Sequence, residues 1–197
     1  MFNLAAFISY VAVVTFTPGP NNIMAMANAS QYGFKRTLHY MAGVGTGVLI
    51  ILSASTYFNL LLYNVIPKIK SIMGLIGAAY MIYLAVKIMK SKPSSDEMSG
   101  DPIQFHTGIA LQFVNPKFLL YAVTVTSNFV VPYFSSNYYL LFTLIITTIC
   151  ISSLVVWALF GTVFKRFLSR YHRPFNIAMG LLLLYSAASI SGLSHLF

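Results

Sequence analysis

Charge is scarce in this 197-residue sequence: only 8% of its residues are Asp, Glu, Lys or Arg, against roughly a quarter in an ordinary soluble domain. Acids are the rarest, and Asp96, Glu97 and Asp101 all fall in one short stretch. The rest of the chain therefore offers no carboxylate for an acid–base site or a metal cage. The single cysteine, Cys150, excludes an intrachain disulfide and any Cys-x-x-Cys redox or metal site. Set in an apolar segment, it reads as a small buried hydrophobe. No Lys or Arg precedes Lys35, so the positive start of a secretory signal is missing and the first apolar run is expected to stay as a span. His39, His106, His172 and His195 lack metal-ligand spacing with each other, with the cysteine or with the acids. His39, His106 and His172 fall at expected membrane interfaces, where His106 could relay a proton. Neither a metal nor a cofactor is expected.

What the sequence has is apolar length. Hydrophobic residues make up 58% of it, and residues 41–62 and 138–164 hold no ionisable side chain other than tyrosine and Cys150. Runs of about 18 or more such residues predict transmembrane helices, and hence an all-α, polytopic membrane protein. Six spans can be drawn: 2–26, 38–62, 69–89, 105–131, 138–164 and 176–197. The net charge of +9 does not point to nucleic acid, because Lys and Arg sit in short breaks between apolar segments. The first, third and fifth connections carry eight Lys and Arg, against two on the opposite side. By the positive-inside rule the odd connections are cytoplasmic and both termini lie outside. Tyr57, Phe58, Tyr63, Tyr133, Phe134, Tyr138 and Tyr139 then gather at the outer interface as an aromatic belt.

Within this single membrane domain, 1–197, only residues 91–104 have linker composition, rich in Ser, Pro, Gly and acids. They part a first half, 1–90, from a second, 105–197, with three spans each. An odd number of spans per half makes the second enter from the opposite side, so the two three-helix halves are inverted. "MGLI" at Met73 and "MGLL" at Met179 are faint traces of repetition.

The first and fourth spans are predicted to be broken. Thr17-Pro18-Gly19-Pro20-Asn21-Asn22 interrupts one, and Asn115-Pro116-Lys117 the other. Proline removes a backbone donor, and in lipid no water replaces the lost bond. Irregular backbone at membrane depth is tolerated where it is buried or lines a wet cavity, and paired breaks in inverted halves point to a transporter's binding site. Each break exposes the N-terminus of a following half-helix, which favours a carboxylate. The candidate substrate-binding residues are Pro18, Gly19, Pro20, Asn21, Asn22, Gln112, Asn115, Pro116 and Lys117. The asparagines can serve an ammonium and a carboxylate together, or cap the broken helices. Lys117 is the one cation deep in a span, a functional candidate by default, with snorkelling to the interface as its alternative. Gly43, Gly45 and Gly47 do not have the spacing of a dinucleotide loop. Gly43 and Gly47 form G-x-x-x-G, a helix-packing signal, with Thr46 on the same span a candidate to face the cavity.

At these residues the chain resembles the LysE/RhtB family of bacterial amino-acid exporters. Thr17-Pro18-Gly19-Pro20-Asn21, the glycines of the second span, Gly77-Ala78-Ala79-Tyr80 and Asn115-Pro116-Lys117 carry the resemblance. "TPGPNNIMA", "ALQFVNPKFLLY" and "NIAMGLLLLYSA" look like its cysteine/O-acetylserine exporter branch. The resemblance implies efflux of an amino acid across the bacterial inner membrane, by antiport driven by the proton gradient. Lysine-exporting relatives carry an acid in the second span; here every acid lies in the linker, so a small neutral substrate such as cysteine or O-acetylserine is expected. Threonine, homoserine or lysine are the alternative substrates, and a passive channel is a further alternative. An intramembrane enzyme is not expected, because no nucleophile has an evident base. The expected partners are the amino acid, the lipid bilayer and the proton, with no nucleic acid. The oligomeric state is left open.

Overall fold

The computed structural model describes residues 2–90, 103–164 and 171–191, and the regular elements among them are all helical. Residues 91–102 of the linker, together with Lys165, Arg166, Arg170 and His195, lie outside the described residues. So do the side chains of Tyr63, Lys68, Lys70, Met73 and His172.

Helix α1 (Leu4–Phe16) is opened by Asn3, whose side-chain oxygen accepts the Ala6 N–H at 3.0 Å. It stops where Pro18 follows Thr17, since a residue before proline is pushed towards extended backbone; Thr17 has ψ 136°. Helix α2 (Pro20–Tyr32) restarts with proline at its first position, where the absent N–H is not needed. It runs past the expected end at Met26, because Ala27 to Tyr32 holds no breaker. It ends at Gly33, whose φ of 84° is open to glycine without strain. Helix α3 (Phe34–Tyr57) starts at once, so Lys35 and Arg36 sit exposed in its first turn rather than in a loop.

A second difference lies in α4 (Asn59–Met89), which runs unbroken through Pro67. The connection expected around Lys68 and Lys70 is not a break; the chain turns at Phe58 instead. Asn59 stabilises that turn by donating to Ser55 O at 3.1 Å, and reaches Thr126 Oγ1 at 3.2 Å and Ser127 Oγ at 3.0 Å.

Helices α5 (Phe105–Val114) and α6 (Pro116–Val125) meet at Asn115, which has φ −91° and ψ 96°. The two arms bend by 70° there. A π turn (Thr126–Val130) and a short 3-10 turn (Ser136–Tyr138) lead to α7 (Tyr139–Val163), and α8 (His172–Ser191) follows. Helix α3 and the Ser136–Val163 segment are each long and apolar enough to cross a bilayer, and the bent α5–α6 pair makes a third such span. Large apolar side chains such as Val13, Leu75, Leu140 and Val163 stand exposed on the outer faces, a surface suited to lipid.

The most extensive seams join α3 to α5, α2 to α7 and α4 to α8. Glycine lets backbones touch in the first two. A β-carbon on Gly43 would lie 2.0 Å from Phe105 O, on Gly108 2.5 Å from Tyr40 O, and on Gly161 2.3 Å from Met26 O. At one end of the molecule the Phe2 ring packs on Tyr133, Phe134 and Phe142, with Tyr57 against Tyr139. At the other end the buried Asn28 accepts the Ile103 N–H at 3.1 Å and donates to Thr37 Oγ1 at 3.4 Å. The start of α1, the end of α3 and the start of α7 thus share one end. Gly33 and the approach to α5 share the other.

Candidate functional site

The first break leaves carbonyls at the end of α1 without helical partners. Asn22 answers two of them, donating through Nδ2 to Thr15 O at 2.7 Å and Thr17 O at 3.2 Å. Ser153 on α7 donates to Thr15 O at 2.9 Å and also meets Asn22 Oδ1 at 3.4 Å. Trp157 Nε1 donates to Phe16 O at 3.2 Å, and the Thr17 hydroxyl turns back on Val13 O. The α1 end is therefore closed by side chains. Asn22 is buried in this work.

The two half-helix N-termini differ. At α6, Asn115 Oδ1 accepts the Phe118 N–H at 3.3 Å, so the broken helix is capped by its own residue. Gly19 has no side chain to cap α2, and the first bonded amide there is Ile23 N, to Gly19 O at 2.9 Å. The Asn21 and Asn22 N–H groups stay free, at the positive end of the helix dipole.

A cavity of about 60 Å³, open at its mouth, lies between the two breaks. Gly19, Pro20, Asn21, Asn22, Asn115 and Lys117 line it, with Thr15, Thr17 and Val14 from the first break and Val44 and Val48 from α3. Lys117, half-buried, points its ammonium across to the first span: a β-carbon on Gly19 would lie 3.1 Å from Nζ. No acid faces it among the described residues, since Asp96, Glu97 and Asp101 all fall in 91–102.

Gln112, on α5 one turn before the break, is fully buried. It exchanges two hydrogen bonds with Asn21: Asn21 Nδ2 donates to Gln112 Oε1 at 2.8 Å, and Gln112 Nε2 donates to Asn21 Oδ1 at 3.2 Å. The same Nε2 donates to Gly108 O at 3.0 Å. Pro116 is buried without lining the cavity, and Pro18 is exposed. Gly43 and Gly47 lie on the α3–α5 seam, Gly47 against Gln112 and Ile109 O. Thr46 bonds its own helix at Ala42 O, and Val44 and Val48 take the cavity face instead. His39 and His106 are exposed and away from the cavity lining.

Sequence reasoning missed part of the wall. Phe118 and Tyr121 line it from α6, and Cys150 and Leu154 from α7. The spacing of four between Lys117 and Tyr121, and between Cys150 and Leu154, was the signal available, because such pairs share a helix face. The bracing roles of Ser153 and Trp157 had no such signal.

Residues 12–191 match the family of LysE type translocators. Among curated proteins, the chain is 36% identical over 188 residues to the cysteine/O-acetylserine efflux protein of Escherichia coli strain K12, covering 95% of this chain and 96% of that one. The cysteine/O-acetylserine efflux protein of Klebsiella pneumoniae subsp. pneumoniae is 35% identical over 188 residues, with the same coverage. No solved structure matches the chain. With the match running nearly from end to end, and a polar cavity at two helix breaks inside an apolar bundle, the chain belongs to the LysE type translocators, amino-acid efflux transporters and not enzymes.

Proposed function

We propose that this protein exports small neutral amino acids, cysteine and O-acetylserine first among them, from the cytoplasm by alternating access. The observation that carries this reading is the meeting of Lys117 with Gly19 at the uncapped start of α2. An ammonium and two free backbone N–H groups converge there on one cavity, a match for a substrate carboxylate. The amide hydrogens of Asn115, unused by its cap, add further donors for that carboxylate. The curated relatives named above, described as cysteine/O-acetylserine efflux proteins, support the choice of substrate. The lack of any acid among the described residues argues against a cationic side chain.

The reading includes six spans, with α1–α2 and α5–α6 as broken ones, in inverted halves 1–90 and 105–197 joined by the linker. The seams support it: span two packs on span four as span five packs on span one, the exchange that a two-fold axis in the membrane plane would produce. The end holding Gly33, Lys35 and Arg36 is then cytoplasmic and both termini are outside. Asn21 and Gln112 form a latch on the cytoplasmic side of the cavity, closed in this conformation. Export is coupled to the proton gradient by antiport.

Counterflow in proteoliposomes tests this. Labelled cysteine, O-acetylserine, threonine, homoserine and lysine are offered to the purified protein, with and without a pH step. Exchange of cysteine and O-acetylserine but not lysine, driven uphill by the pH step and collapsed by an uncoupler, is the expected result. Exchange that never exceeds equilibration would make the protein a passive pore. Exchange of lysine alone would remove the substrate assignment.

A further inference from the structure

Tyr121 follows Lys117 by one helical turn, so both fall on the face of α6 that lines the cavity. Aromatic neighbours hold its ring in place: Tyr10 stacks on it at 5.9 Å and 24°, and Phe118 lies at 6.0 Å. Its hydroxyl lies against the Cys150 thiol of α7, which lines the same cavity. Tyr121 is 4% exposed, and its buried hydroxyl has no oxygen or nitrogen partner. Native proteins leave few such groups, because a buried donor stripped of water and given nothing in exchange is destabilising. A thiol is a weak substitute, as donor or as acceptor.

Two parts of the cavity wall therefore differ in kind. At Gly19 and Lys117 it offers charge and free amides; at Tyr121 and Cys150 it offers one strong uncommitted donor beside a soft sulfur. Val44, Val48 and Leu154 add hydrocarbon to the wall of the same cavity. Resting on the reading of this cavity as an amino-acid site, we infer that Tyr121 and Cys150 form its side-chain subsite. The phenol donates a hydrogen bond to the oxygen or sulfur of a short uncharged side chain: a thiol, a hydroxyl or a small ester. A site that hydrogen-bonds a substrate group rejects the analogue lacking it, because the buried donor is then left unpaired. A purely apolar wall would rank side chains by size alone.

The test is the ratio of rates in counterflow, measured in one set of vesicles with cysteine, serine and O-acetylserine against alanine and 2-aminobutyrate. The wild-type protein is expected to favour the polar members over their apolar counterparts by about tenfold or more. Tyr121→Phe, which keeps the ring, is expected to bring that ratio to within about twofold. A ratio that Tyr121→Phe leaves untouched overturns the subsite while leaving the transporter reading intact. Absence of counterflow for every amino acid tested would instead remove the transporter reading, and the subsite with it.

A second measurement needs no variant. Cys150 is the only cysteine in the chain, so alkylation by N-ethylmaleimide reports on this wall alone. Serine and O-acetylserine are expected to slow the reaction more than glycine at matched occupancy. Equal protection by glycine would show that the side chain does not reach Cys150, and would overturn the proposal.

Discussion

The Lys117 ammonium rests over Gly19, at the distance where one added methyl group would lie 3.1 Å from its nitrogen. The φ of Gly19 is −156°, extended backbone that any residue adopts. Glycine is thus required at this position for space and not for conformation. Two breaks from opposite halves of the chain meet at this contact, and the functional reading starts from it.

Lys117→Met keeps the length and apolar stem of the side chain and removes its charge. A charge-assisted hydrogen bond contributes about 1.5–3 kcal/mol, so half-saturation for the substrate is expected to rise by about tenfold to a hundredfold. Lys117→Arg keeps the charge and is expected to retain more binding than Lys117→Met. Counterflow measured over a range of substrate concentrations decides it. Equal, unaltered half-saturation in both variants would take Lys117 out of the site.

Gly19→Ala tests the same contact from the other side. The new methyl meets the flexible end of Lys117, which can move aside, so insertion and thermal stability in detergent should change little. Displacing the ammonium from the start of α2 should still weaken substrate binding. Loss of stability without loss of affinity would mean that Gly19 serves packing only.

The exchange of hydrogen bonds between Asn21 and Gln112 suits a double-mutant cycle. Asn21→Ala and Gln112→Ala should each destabilise, and the pair should cost less than the sum, with a coupling of about 1 kcal/mol. If these amides close the cytoplasmic side, Gln112→Ala should also speed alkylation of Cys150 by a reagent added from the cytoplasmic face. Additive losses with unchanged alkylation would leave the pair without a latching role.

Gly43 and Gly45 share a helix and differ in what they face. A β-carbon on Gly43 would lie 2.0 Å from the Phe105 carbonyl oxygen, whereas on Gly45 it would lie 3.0 Å from the tip of the Ile151 side chain. Backbone cannot yield as a side-chain methyl can. Gly43→Ala should therefore destabilise by about 1–3 kcal/mol or more, and Gly45→Ala by clearly less. Thermal unfolding in detergent compares them directly.

The two breaks were legible in the sequence because proline states its own consequences: no N–H, and a preceding residue turned away from helix. The second turn was not legible: Lys68 and Lys70 marked a connection, yet α4 runs through them and through Pro67. The turn is made at Phe58 and held by Asn59, whose partners Thr126 and Ser127 lie far along the chain. The asparagines near the breaks were visible as polar groups at membrane depth, but the role of each depends on partners. Asn22 braces the end of α1, Asn115 caps α6 and Asn21 pairs with Gln112. Identical amide chemistry cannot separate these roles without coordinates. Cys150 read as a buried hydrophobe in an apolar run and Tyr121 went unmarked, because a phenol or thiol becomes informative only when its neighbours are known.

The glycine contacts also decide what moves. With main chain on main chain, α3 cannot slide on α5, nor α2 on α7, without severe overlap, so each couple behaves as one stiff lever. Neither lever coincides with a half of the gene product; each borrows one arm from before the linker and one from after it. On the proposed alternating-access reading, the rocking pivots between these mixed couples, and hinge residues are expected on the chain segments that join them.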